Sequence, residues 1–259
     1  MQNPASAIRP RAALVTGAAK RIGRAITLAL AGAGYAVAIH ARASRAEADA
    51  LCAEIAARGG KAHPVLADLA DHHAASGLVT AAAAALGPLT LLVNNAALFE
   101  ADEIGTFDCD RFDRLCAVNL RAPLLLVQAF AAVAPEGADA SVVNLLDQRV
   151  YKPTPQFLSY GLTKSALHAA TTVLAQALAP RLRVNAVAPG PTLPSPRQDA
   201  TAFARQTQAV PLGHGPSPEE IADAVLYLAQ ARSVTGVTIA VDGGQRLAWQ
   251  TPDVAGIDE

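Results

Sequence analysis

Thr16-Gly17-Ala18-Ala19-Lys20-Arg21-Ile22-Gly23 decides how the rest of the chain is read. It follows a short β-prone run at 12–16 and precedes an Ala/Leu-rich stretch of helical character at 21–33. A turn of small residues between strand and helix lets backbone approach a diphosphate, and the helix N-terminus adds favourable electrostatics. An ordinary βα turn would look the same in isolation, so its context must carry the reading. Arg21 sets a cation where a further glycine could stand, so it can offset phosphate charge or orient an anionic or electron-rich ring.

Working outward, β-prone runs recur at 36–40, 62–66, 89–93, 141–145, 183–188 and 238–241, giving seven strands with the first. Helical stretches at 45–58, 72–86, 110–133, 159–179 and 218–230 fill the intervals, together with 21–33. Each crossover is long enough to carry a helix, as parallel strands require. The alternation predicts an α/β fold: a Rossmann-like, doubly wound parallel seven-stranded sheet with helices on both faces. No internal repeat is visible, so residues 1–259 are expected to form a single domain. Between 189 and 218 stand Pro189, Pro191, Pro194, Pro196, Pro211, Pro216 and Pro218. They are expected to interrupt any regular element and to make this stretch a substrate loop or lid. Residues 251–259 read as an acidic mobile tail.

A composition of 52% hydrophobic and 17% charged residues can bury a substantial core, which excludes a disordered body. Lys and Arg total 21 against 22 Asp and Glu, a net charge of -1, so no global field draws in nucleic acid or an anionic membrane. The cysteines, Cys52, Cys109 and Cys116, are odd in number and form no CxxC pair, which suits free thiols in a reducing compartment. No basic-then-apolar leader and no run of about 18 apolar residues free of charges or breakers is found. The expectation is a cytoplasmic protein without nucleic-acid or membrane partners. His72-His73 beside Asp71 lacks the further ligands a metal centre needs, and no metal site is expected.

Chemistry concentrates at predicted strand ends. After the second strand, His40-Ala41-Arg42-Ala43-Ser44 lacks the acidic residue that would bind the free ribose hydroxyls of NAD. Arg42 can pair with a 2′-phosphate instead, which favours NADPH. Asp68, beside Leu69 and just past the third strand, can accept from an adenine amino group or simply shape a turn. Asn94-Asn95-Ala96-Ala97 follows the fourth strand, at the edge where open α/β sheets bind ligands. Asn119 lies inside a predicted helix, where a poor helix former needs a local hydrogen bond or a functional reason. In Tyr160-Gly161-Leu162-Thr163-Lys164 the four-residue spacing sets phenol and ammonium on one helical face. A nearby ammonium would lower the tyrosine pKa and make Tyr160 a usable proton donor or acceptor. Asp147, just past the fifth strand, could relay a proton, bind a polar heterocycle or cap a turn.

Taken in order, these segments resemble the short-chain dehydrogenase/reductase family from Leu14 to Gly244. The family pattern is Thr-Gly-x3-Gly-x-Gly, Asn-Asn-Ala-Gly, a helix Asn, a Ser before Tyr-x3-Lys, then Pro-Gly and Asp-Gly-Gly. Gly17, Gly23, Asn94, Asn95, Ala96, Asn119, Tyr160, Lys164, Pro189, Gly190, Asp242, Gly243 and Gly244 match it. Arg21 replaces the middle glycine, Ala97 the glycine after Asn-Asn-Ala, and Asp147 the serine. Arg21 and Asp147, with Phe99 after Asn95-Ala96-Ala97-Leu98, are similar to the pteridine reductase subgroup, although Ala97 lacks that subgroup's serine hydroxyl.

The resemblance implies an NADPH-dependent reductase of a pterin or dihydropterin C=N bond, with Tyr160 donating a proton and Asp147 assisting. It implies cofactor contacts at Gly17, Arg21, Ile22, Gly23, His40, Arg42, Ser44, Asp68, Leu69, Asn95, Ala96, Ala97, Tyr160, Lys164, Pro189 and Gly190. Lys164 would bind the nicotinamide ribose and Asn119 would support a water chain behind it. Arg21, Phe99, Asp147 and Tyr160 would hold the substrate, Phe99 by stacking. It also implies a homotetramer. Two other readings stay open: a family reductase of a ketone, 3-oxoacyl thioester or aldehyde, and a non-catalytic NADP-binding sensor or scaffold.

Overall fold

A computed structural model describes residues 11–195 and 197–251. Its strands are β1 (Arg11–Val15), β2 (Tyr35–Ala41), β3 (Ala62–Leu66), β4 (Leu89–Asn94), β5 (Ala140–Leu145), β6 (Leu182–Pro189) and β7 (Thr238–Val241). All pair in parallel, in the order β3-β2-β1-β4-β5-β6-β7. The order reverses between β1 and β4, and the crevice at such a reversal is where open α/β sheets take ligands.

The central strands β4, β5 and β6 are buried on both faces because helices cover both. Ala12 and Leu14 of β1 enter one core layer and Ala13 and Val15 the other, the period-two alternation of a strand. On the first face lie α3 (His72–Leu86), α4 (Cys109–Cys116), α5 (Ala122–Val133) and α6 (Leu158–Leu178). Phe130 of α5 is fully enclosed there, a burial worth about 2–3 kcal/mol. On the second face lie α1 (Arg21–Gly32), α2 (Arg45–Ala57) and α8 (Pro218–Gln230). Helices α1 and α8 pack on each other over β1, β4 and β5.

Two differences from the sequence expectation matter for the site. The proline-rich segment is not irregular throughout: β6 runs to Pro189, α7 spans Ala200–Gln208, and Pro218 is the first residue of α8. The prolines stand outside residues 200–208, and Asp199 caps α7 by accepting from the Ala202 N–H at 2.7 Å. The long helix expected at 110–133 is broken into α4 and α5 by a π turn, Ala117–Arg121, with Asn119 at its centre. Counted through, Cys109–Val133 is long and apolar enough to cross a membrane by length and composition. It contains Arg121 and Pro123, however, and Val118, Leu126 and Phe130 are packed into the sheet. Of the expected tail, residues 252–259 lie outside the described residues.

Candidate active site

The carboxyl ends of β1, β4, β5 and β6 open into one cavity of about 760 Å³. The glycine turn forms one wall, and its own polar groups are tied back into the protein. Thr16 Oγ1 accepts from the Asn95 and Ala96 N–H groups at 2.9 and 3.0 Å. Asn95 Nδ2 donates to the Thr16 and Gly17 carbonyls at 2.8 and 3.1 Å. Gly17 has φ +61°, and a Cβ on Gly23 would lie 2.1 Å from the Gly17 carbonyl oxygen, so α1 can approach this closely only with glycine there.

His40 completes the clamp. The Gly17 N–H donates to His40 Nδ1 at 3.1 Å, so Nε2 carries the hydrogen and donates to the Ala67 carbonyl at 3.1 Å. Burial lowers its pKa and favours this neutral ring. His40 therefore reaches the glycine turn rather than the cavity.

What the turn leaves open is the start of α1, where no side chain caps the helix and no acidic residue stands in the first turn. The start of α2 is similar: Ser44 makes no side-chain cap, and Arg42 is exposed without a hydrogen bond or ion pair among the described residues. Four first-turn N–H groups of a helix need outside partners, and a phosphate can serve. Asp68, also exposed, accepts from the Ala70 N–H at 2.9 Å, and Leu69 is buried beside it.

On the opposite wall, α6 supplies Tyr160 and Lys164. Tyr160 Oη donates to Asp147 Oδ2 at 3.1 Å, and Lys164 Nζ donates to the Leu145 carbonyl at 2.7 Å. Both side chains are buried. Burial, followed by the Asp147 charge, pushes the Tyr160 phenol well above its ordinary pKa. This reverses the expected lowering by Lys164, because desolvation and a neighbouring carboxylate both disfavour phenolate. Tyr160 is thus held as the protonated acid. Burial brings Lys164 down to about 8, with Asp147 opposing. Asp147 also accepts from the Arg149 N–H at 2.9 Å and from Arg149 Nη1 at 3.2 Å, capping a short 3₁₀ turn, Gln148–Val150.

Asn119 is fully buried behind this wall. Its Oδ1 accepts from the Leu98 N–H at 2.8 Å, and its Nδ2 donates to the Leu98 carbonyl at 2.9 Å and to Thr163 Oγ1 at 3.2 Å. The π turn thus ties the segment after β4 to the helix that carries Tyr160; π turns often occur at functional sites.

Phe99 lies edge-on to Tyr160 at 4.7 Å and stacks on Phe157 at 4.4 Å with the rings 4° apart. Arg149 and Arg197 lie over this pair, 5.1–5.7 Å from the ring centroids. Such contacts contribute about 0.5–2 kcal/mol each. Phe157, Arg149 and Arg197 line the cavity and were missed by the sequence reading. Spacing could not reveal them, since the three join only when β5, α6 and the segment after β6 converge. Arg21 has φ +54° and donates to the Leu193 and Pro194 carbonyls at 3.3 and 3.0 Å, bridging the glycine turn to the far loop.

Among the expected site residues, Gly17, Arg21, Ile22, Gly23, Asn95, Ala96, Ala97, Phe99, Asp147, Tyr160, Lys164, Pro189 and Gly190 meet at the cavity. His40, Arg42, Ser44, Asp68, Leu69 and Asn119 do not line it.

A family model described as Enoyl-(Acyl carrier protein) reductase matches residues 17–246, nearly the whole of this arrangement. The chain belongs to the short-chain dehydrogenase/reductase family. The solved FolM alternative dihydrofolate reductase 1 from Brucella canis, complexed with NADP, is 50% identical to it with a TM-score of 0.91, covering 94% of this chain and 97% of that one. An uncharacterized oxidoreductase of Methylorubrum extorquens is 39% identical over 93% of this chain and 100% of its own length. L-xylulose reductase of Bos taurus is 36% identical over 90% and 96%. Within the family pattern, Arg21 keeps the left-handed backbone open to the glycine it replaces. Asp147 takes the serine's place within hydrogen-bond reach of the tyrosine.

Proposed function

We propose that this protein is an NADPH-dependent reductase that acts on a pterin or dihydropterin C=N bond. The observation that carries the reading is the Tyr160–Asp147 hydrogen bond at 3.1 Å, beside the Phe99 ring in a cleft lined by arginines. The likeness to the Brucella canis protein, an alternative dihydrofolate reductase solved with NADP, supports it.

The donor set fits NADPH. The uncapped start of α1 with Arg21 suits a diphosphate, while Arg42 and Ser44 at the start of α2 suit a 2′-phosphate. Lys164 would hold the nicotinamide ribose, Asp68 and Leu69 the adenine, and residues 95–97, Pro189 and Gly190 the nicotinamide end. NADPH, when bound, supplies a hydride to the carbon of the C=N bond. Tyr160 holds the proton that passes to the nitrogen, and its raised pKa keeps that proton in place until the nitrogen gains basicity. Asp147, bonded to the same oxygen, orients the phenol and assists its reprotonation. Phe99 and Arg21 hold the flat ring, by stacking and polar contact. Asn119 supports the rear of this wall, and residues 189–218, including α7, form the substrate loop.

We further propose a homotetramer. Leu124 and Val133 on α5 and Leu162 and Val173 on α6 are exposed apolar residues that such packing would cover. The free thiols suit a cytoplasmic setting.

The likeness to L-xylulose reductase favours the second reading, reduction of a carbonyl. Purified protein should oxidise NADPH with dihydrobiopterin, dihydromonapterin or dihydrofolate in preference to a panel of ketones, aldehydes and 3-oxoacyl thioesters. Turnover confined to the carbonyl panel would overturn the pterin assignment.

A further inference from the structure

Helix α6 begins in an unusual way. Its flanking residue, Phe157, sits in the left-handed region at φ +59° and offers no side-chain cap. The first amides are instead served by Asp102, far away in sequence. The Leu158 N–H donates to the Asp102 carbonyl at 3.2 Å, and the Ser159 N–H to the two carboxylate oxygens at 3.1 and 3.3 Å. The Ser159 hydroxyl donates to Asp102 Oδ2 as well. Asp102 is only 5% exposed and Ser159 fully buried, and no basic side chain pairs with this carboxylate among the described residues.

A buried carboxylate without a cation is costly unless hydrogen bonds and a helix dipole offset it. A local Ser or Asp at the cap would relieve α6 more simply. The distant arrangement does something a local cap cannot. Asp102 stands three residues beyond Phe99, so one short segment grips the start of α6 through its backbone and lays an aromatic ring against both Phe157 and Tyr160. Tyr160 is the third residue of α6, one after Ser159.

We infer that Asp102 is a positioning residue for proton transfer: by holding Leu158 and Ser159, it fixes where the Tyr160 hydroxyl stands relative to Asp147 and the ring of Phe99. Asp102 does not line the cavity, so it acts only through α6. The inference rests on Tyr160 being the proton donor, whichever double bond is reduced.

The test compares full-length Asp102→Asn, Asp102→Ala and Ser159→Ala with wild type and with Tyr160→Phe, using NADPH and the best acceptor from the panel. Turnover at saturation should fall on the order of 10- to 100-fold in the Asp102 variants, the scale set by misplacing a reacting group by about 1 Å. The Kd for NADPH, by fluorescence titration, should stay within about twofold, since the groups assigned to the dinucleotide are untouched. A phenol no longer held in place between Asp147, Arg149 and Lys164 gains solvent, so the Tyr160 limb of the kcat profile, which lies above that of Lys164, should move to lower pH. A purely structural cap would lower Tm and leave that limb where it is. Wild-type kcat with an unmoved limb in Asp102→Asn and Ser159→Ala would overturn the inference, even if Asp102→Ala failed to fold. Full activity in Tyr160→Phe would instead remove the premise, and with it both the donor assignment and this inference.

Discussion

Helices α1 and α6 both start at the same cavity, yet they finish their first turns in opposite ways. The start of α1 is left without a side-chain cap, behind a turn whose polar groups are fastened by Thr16, His40 and Asn95. The start of α6 is closed by a carboxylate from another segment. Rigid backing with open amides is what a bound anion needs, because the ligand completes the hydrogen bonding. Full internal satisfaction is what a reacting side chain needs, because its geometry must not depend on what else is bound. On the proposed function, the same element of secondary structure is a socket in one place and a mount in the other.

The sharpest way to break this contrast is at the socket. Gly23→Ala sets a methyl group against the Gly17 carbonyl and the Asn95 amide, at 2.1 and 2.6 Å, so the turn must move. NADPH affinity is expected to fall about 100-fold, the scale of a 2–3 kcal/mol distortion, as read by titration of intrinsic fluorescence. Unchanged binding would show that the turn does not receive the diphosphate. At the neighbouring start of α2, Arg42→Ala should weaken NADPH about tenfold and NADH by less than threefold, since only the former carries the extra phosphate. Equal losses would place that phosphate elsewhere.

The smallest effect concerns the mount, and is one of stability. Lys164 falls from 10.5 to about 8 on burial, so below pH 8 the folded, unliganded protein carries a charge that the unfolded chain solvates better. The cost is roughly 3 kcal/mol. It is relieved as pH rises from about 8 towards 10.5, where the unfolded chain binds the proton that the folded chain has released. Lys164→Met removes this cost at the expense of the bond to Leu145, worth about 1–2 kcal/mol. Its Tm near pH 7 should therefore exceed the wild-type value by about 2–8 °C, with the gap shrinking by pH 9.5. A gap independent of pH would contradict the buried-charge account.

The sheet was legible because its strands are short, apolar and regularly spaced; β3 and β7 match the expected runs of 62–66 and 238–241. The tyrosine and lysine were legible because helical spacing alone puts them on one face. Helix α7 was obscured by counting prolines across 189–218, although 200–208 contains none. The tyrosine's pKa was misread because spacing shows which charges are near but not how much water is lost; here desolvation leads. Asp102, Phe157 and the two arginines over the rings depend on contacts between distant segments, and no local pattern marks them.

The π turn at 117–121 makes chain length itself a determinant. One surplus residue lets Asn119 face Leu98 while Leu126 and Phe130, further along, still face the sheet. Deleting a single residue there would restore an ordinary helix with Leu126 and Phe130 still facing the sheet, but with no surplus residue left to turn Asn119 towards Leu98. The amide would lose its two bonds to Leu98 while the aromatic ring kept its place, so the link between the segment after β4 and the wall that carries Tyr160 depends on the residue count of this helix.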